Sequence, residues 1–241
     1  MTGSPRESVE PDYNSGAAVL APEGSPRYGH DMRFGGTDKS TIEARVAAFE
    51  QATGAQAVVS VVDRCDAYPE VPWRAFALGA VLAALFVCSV PVSGAVLYHS
   101  TVLALATVLA TGAAMALLTV FVPAAGRWLL PRARREAELR QYAQAMFLER
   151  ELFATRERSA LLILVGRYER CGAILADRGL RARLPTGQLA RAEARLDAAL
   201  ARAGIAAAVG QTLDTLQTGL ARAGAGGDNE LSDSVIRERG P

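Results

Sequence analysis

Apolar and polar positions follow three different patterns along this chain. From residue 75 to residue 126 the run is predominantly apolar and holds no Lys, Arg, Asp or Glu. One membrane-crossing helix needs about 20 such residues. The run is long enough for two. It predicts spans over residues 75–96 and 102–122, joined by Leu97-Tyr98-His99-Ser100-Thr101. Pro91 is expected to kink the first span or to end it early.

Helical spacing governs several other stretches. Ile42, Val46 and Phe49 predict a helix over residues 38–53, with Ser40 and Glu43 as a capping box and Gly54 as a left-handed stop. Leu139, Tyr142, Met146 and Phe153 line a helix over 133–153. Leu189, Leu196 and Leu200 line another over 188–203. Ile205, Val209, Leu213, Leu216 and Leu220 line the last, over 205–223.

The third pattern is the short continuous apolar run bounded by turn residues, which reads as a buried strand. It occurs at 55–62 (AQAVVSVV), 161–168 (LLILVGRY) and 171–176 (CGAILA). The last two predict a hairpin turning at Glu169-Arg170, followed by a loop at Asp177-Arg178-Gly179. Pro69 and Pro72 mark a loop before the first span. A lone strand is not stable, so 55–62 is expected to join the sheet built after the spans.

The expected fold is therefore α/β: a small sheet flanked by helices, split in sequence by a two-helix transmembrane hairpin. Residues 38–72 and 129–223 form the domain, and 73–128 the hairpin with its flanks. Residues 1–37 and 224–241 lack any period and are expected to be unstructured tails.

Charge orients the hairpin. Its connecting loop has no Lys or Arg, whereas Arg74 precedes the first span and Arg127, Arg132, Arg134 and Arg135 follow the second. Cytoplasmic flanks carry the excess of basic residues, so both termini are expected in the cytoplasm. Trp73 and Trp128 stand at matching positions at the two bases, where indoles favour the membrane interface. Lys39 is the only lysine among the basic residues. That reads as GC-rich codon usage in a bacterium, which makes the inner membrane the expected location. The N-terminal stretch has no apolar core, so no cleavable signal peptide is expected. A net charge of +1 gives no basic footprint for nucleic acid. The expected partners are the lipid bilayer, other membrane proteins and further copies of the chain.

Candidate chemistry is sparse. Asp63, Asp66 and Asp177 follow predicted strands. Gathered at one sheet edge they would hold a divalent cation, Ca²⁺ or Mg²⁺, and favour phosphate ester hydrolysis. As isolated residues they end strands and cap turns. The three cysteines, Cys65, Cys88 and Cys171, lack metal-ligand spacing and fit a reducing setting. His30 and His99 are the only histidines and have no partner nearby in sequence. No phosphate-binding glycine loop is present. Gly79/Ala83 and Gly112/Ala116 are pairs of small residues that let the spans approach closely.

The order of these pieces resembles the TPM domain family, in its short branch where a membrane hairpin interrupts the domain. The resemblance rests on an IEARV helix from Ile42, the strand TGAQAVVSVV from Thr53 and the approach YPEVPWR from Tyr68. It continues through FLERELFATRERSALLILV from Phe147 and ERCGAILADRGL from Glu169. It covers about residues 38–223, and DNELSDSVIRE from Asp228 resembles the branch's tail. The sequence departs at Gln188, where the branch has tryptophan. The resemblance implies an α/β sandwich, a membrane location and a family name that includes phosphatase. The resulting expectation is a membrane-anchored interaction or assembly and maintenance module for envelope proteins. The alternative is a weak metal-dependent phosphohydrolase.

Overall fold

The computed structural model describes residues 35–89, 97–220 and 236–238. Helix α1 (Gly36–Thr53) leads into strand β1 (Gln56–Val62), and helices α2 (Glu70–Ser89) and α3 (Leu97–Phe121) follow. A short helix α4 (Pro123–Leu129) and helix α5 (Arg132–Glu149) lead, through one 3-10 turn at Leu152–Ala154, to strands β2 (Ala160–Gly166) and β3 (Cys171–Ala176). Helices α6 (Arg178–Arg183), α7 (Gln188–Leu200) and α8 (Ile205–Leu220) precede a last strand, β4 (Ile236–Glu238).

The sheet has the order β3-β2-β1-β4. β1 runs parallel to β2, from Gln56 opposite Ala160 to Val62 opposite Gly166. β4 is parallel to β1, and β3 is antiparallel to β2. The strand before the apolar run thus lies at the centre of the sheet, paired with a strand a hundred residues further on. Both central strands are buried along their whole length, which explains why they read as unbroken apolar runs. One face packs on Ile42, Val46 and Phe49 of α1, Leu196 of α7 and Leu213 of α8. The other packs on Leu139, Ala143 and Met146 of α5.

Several boundaries differ from expectation, each for a local reason. Gly35, not Ser40, caps α1: its N–H donates to Asp38 Oδ2 at 3.0 Å, while Ser40 lies inside the helix and donates to Thr37 O. Gly54 does end it in the left-handed region. α2 starts at Glu70 because Pro72 falls in its first turn, where a missing N–H is harmless. Residues 97–101 are not the connection between the spans but belong to α3. Pro91 lies outside the described residues, as do residues 1–34 of the first tail. Residues 236–238, in the segment expected to lack structure, form β4. Arg178-Gly179 open α6 and are not loop.

α2 and α3 are long and apolar enough to cross a membrane. They pack on each other and leave most of their surface uncovered: the share buried is 22% of the apolar window in α2 and 6% in α3. Their contact depends on small residues. A methyl group on Gly79 would stand 2.8 Å from Met115 Cγ, and one on Gly112 would stand 2.9 Å from the Phe76 ring.

Candidate functional site

The hairpin is joined to the domain at the carboxyl ends of the two parallel strands. β1 continues past Val62 into Asp63, Arg64 and Cys65, and β2 continues past Gly166 into the four-residue loop Arg167-Tyr168-Glu169-Arg170. Two backbone bonds tie these segments side by side. Arg167 N–H donates to Val62 O at 2.9 Å, and Tyr168 N–H donates to Asp63 O at 3.0 Å. The loop turns through Arg170, whose φ is 52°. Tyr68, φ 49°, turns the other segment towards α2.

Glu169 lies at the centre of this junction, with no exposed surface. Its Oε1 accepts the Cys65 N–H at 2.9 Å and the Tyr68 hydroxyl at 2.8 Å. Its backbone carbonyl accepts from Arg135 at 3.0 Å. Oε2 is buried without a partner. Burial raises the Glu169 pKa above the ordinary carboxyl value, and the two donors and the Arg64 charge offset part of that. Burial likewise raises the Cys65 thiol and the Tyr68 phenol, with Glu169 adding to both. Cys65 and Cys171 are both buried free thiols, Cys171 pushed up to about 12 chiefly by burial. Neither has the depressed pKa of a nucleophile.

An aromatic and cationic layer covers Glu169 on the hairpin side. Tyr68 and Tyr168 stack with centroids 5.7 Å apart. The Arg64 guanidinium lies 4.3 Å from the Tyr168 centroid and 5.5 Å from that of Tyr68. Arg127 of α4 approaches the Tyr168 ring at 5.9 Å. Burial lowers the Arg127 pKa, with Tyr168 acting the other way, but an arginine stays cationic. Gly126 is what lets α4 come so close: a methyl there would meet Tyr168 Oη at 2.7 Å. Tyr68, Val71 and Leu130 form a small core beneath. A cavity of about 120 Å³ opens between this layer and the bases of the apolar helices.

The three acidic positions singled out in the sequence do not make a common site. Asp63 ion-pairs with Arg167 at the carboxyl end of β1. Asp66 accepts the Ala67 N–H and pairs with Arg134, which also reaches Glu70 and Glu138. Asp177 caps α6 by accepting the Arg178 N–H. Because β3 runs antiparallel, Asp177 adjoins the opposite end of the sheet, where Ala176 pairs with Leu161. A strand's length, roughly 20 Å, separates it from Asp63. Among the described residues no three His, Cys, Asp or Glu side chains form a group able to hold a metal ion. The expected interface residues behave differently. Trp73, Arg74 and Trp128 are exposed at the hairpin base, the two indoles at 73% and 81%, and Arg127 is half-buried beside Tyr168.

Sequence reasoning missed Glu169 and Arg64. Glu169 sits in a charged turn, ERCG, that looks solvated, and its partner Tyr68 is 101 residues away. Tyr68 opens the YPEVPWR stretch, but nothing local shows what its hydroxyl meets.

The chain matches no known family and no curated protein. Among solved structures it is similar to the NMR structure of BA42 protein from the psychrophilic bacteria Bizionia argentinensis sp. nov. The TM-score is 0.49 at 8% identity, over 85% of this chain and 94% of that one.

Proposed function

We propose that this chain is an integral membrane protein of a bacterial inner membrane. Its TPM-like α/β domain faces the cytoplasm and acts as an anchored interaction or assembly and maintenance module for envelope proteins. The observation that carries this reading is the bare apolar surface of α2 and α3. Leu85, Phe86, Leu103 and Phe121 are all more than 60% exposed. Soluble chains do not leave contiguous apolar surface of that extent in water, whereas acyl chains cover it without cost. The arginines at the two bases support a cytoplasmic domain, and the exposed Trp73 and Trp128 support a membrane interface at that level.

The metal-dependent phosphohydrolase is the weaker reading because Asp177 adjoins the opposite end of the sheet from Asp63, and Asp63 and Asp66 are each paired with arginine. Titration of Ca²⁺ or Mg²⁺ into purified protein, with binding abolished by Asp63→Asn, would restore it.

Orientation is tested with one added cysteine at a time in a variant lacking the exposed Cys88, the two remaining cysteines, Cys65 and Cys171, being buried. Ser93→Cys, between the end of α2 and the start of α3 in sequence, is expected to react with a membrane-impermeant maleimide added to intact spheroplasts, and Thr186→Cys only after lysis. The opposite pattern would invert the topology. Equal labelling of both sites only after lysis, with the protein in the soluble fraction, would remove the membrane reading.

A further inference from the structure

We propose that the cavity at the hairpin base binds the phosphate of an anionic phospholipid headgroup, with Arg64 as its principal contact. The inference rests on the membrane reading above and adds a ligand to it.

The cavity has two unlike walls. Arg64, Tyr68 and Tyr168 bound it on the domain side, and Val71, Val120 and Pro123 on the hairpin side. At about 120 Å³ it has room for a small polar group of several heavy atoms. Trp73 and Trp128, exposed at the two bases, mark the level of the headgroups. Lipid phosphates therefore lie at the height of the cavity, and an apolar wall faces the side from which the glycerol would enter.

The charge is one-sided. Arg64 and Arg127 both stand over Tyr168. Of the neighbouring carboxylates, Asp63 is engaged by Arg167 and Asp66 and Glu70 by Arg134, while Glu169, its Oε1 held by the Cys65 N–H and the Tyr68 hydroxyl, is the one whose charge also reaches Arg64. Arg64 Nε is buried and has no hydrogen-bond partner, while the same side chain hydrogen-bonds Tyr168. A buried donor without an acceptor is costly, and a guanidinium fork matches phosphate oxygens. A choline head fits poorly. The aromatic face that would receive a quaternary ammonium is already covered by Arg64, so selection should favour headgroups with net negative charge.

The test uses the full chain in detergent, read by native mass spectrometry after equilibration with phosphatidylglycerol or phosphatidylcholine. A parallel arm has inorganic phosphate alone. Wild type is expected to retain phosphatidylglycerol in preference. Arg64→Gln is expected to lower that retention about fivefold to tenfold, while Arg74→Gln, an exposed arginine at the same level outside the cavity, leaves the preference intact. Equal retention by wild type and Arg64→Gln would overturn the proposal, as would equal retention of the two lipids. Arg64-dependent binding of inorganic phosphate that the lipid does not displace would overturn the lipid as its source. If Arg64→Gln does not fold, Val120→Phe decides, because it narrows the cavity from an exposed position without altering charge. Lost retention supports the site and unchanged retention overturns it. Co-sedimentation with phosphatidylcholine vesicles keeps the two readings apart: a chain that does not associate at all defeats the membrane reading. One that associates without Arg64-dependent selection defeats only this inference.

Discussion

A carboxyl group with no exposed surface either keeps its proton or needs a full set of donors. Glu169 has two donors on one oxygen and none on the other. Its pKa is raised, chiefly by burial. For an acid raised on folding, the native state binds the proton more tightly than the unfolded chain does. Stability is therefore highest below the ordinary carboxyl range and falls as pH rises from that range to the raised value. Glu169→Gln, which mimics the protonated acid, should flatten that fall. Thermal unfolding of the purified protein across a pH series should show wild type losing more stability than the variant towards neutral pH. Parallel curves would mean that Glu169 is ionised at no cost. Asp197 is also raised by burial, but it is common to both proteins and cancels in the difference. None of this was legible from the chain alone. A glutamate between arginines in a turn reads as solvated, and burial here comes from Tyr68, Cys65 and Arg135, residues brought in from distant parts of the sequence.

At the scale of elements, β3 is an edge strand whose outward N–H groups would invite another strand. Helix α7 closes that edge with side chains. Asp197 Oδ1 accepts the Gly172 N–H at 2.9 Å, and Glu193 Oε1 accepts the Ile174 N–H at 3.2 Å. The two carboxylates are four residues apart on one helical face, matching alternate residues of the strand. Arg140 pairs with Glu193 and Arg132 with Asp197 from α5, but these guanidiniums are largely exposed and add little. Glu193→Ala/Asp197→Ala should cost about 1–2 kcal/mol in stability. It should also make the protein associate with rising concentration, read by size-exclusion chromatography with light scattering. Asp197→Asn, which keeps an acceptor, should stay close to wild type. Loss of stability without association would limit the carboxylates to a packing role. Of the apolar stripe that predicts α7, Leu196 and Leu200 are buried and Leu189 is partly buried. Its polar face was not informative, because an edge can be recognised only once the strand order is known. The strand order follows from the physics of β1: an isolated apolar strand had to find a partner, and it found β2.

At the scale of the whole molecule, the uncharged run from 75 to 126 was the most legible feature, since it needs no tertiary information to be recognised. Its attachment was not legible. The two bases meet directly: a methyl on Gly126 would lie 3.7 Å from Val71 Cγ1. Tyr68, Val71 and Leu130 seal them to the domain. The sheet and both of its apolar faces are built without α2 or α3. The hairpin should therefore be removable without unfolding the domain. Replacing residues 76–122 by a Gly/Ser linker of about six residues, each spanning about 3.3–3.6 Å when extended, leaves Val71, Gly126 and the small core in place. The shortened chain is expected to be soluble without detergent, to keep the circular dichroism of an α/β domain, to unfold cooperatively and to lose vesicle association. Backbone amide protection in β1 and β2 should match the full chain, because that pairing lies outside the deletion. A shortened chain that aggregates or loses protection in β1 would show that the spans hold the domain together across the split, and that anchor and domain fold as one unit.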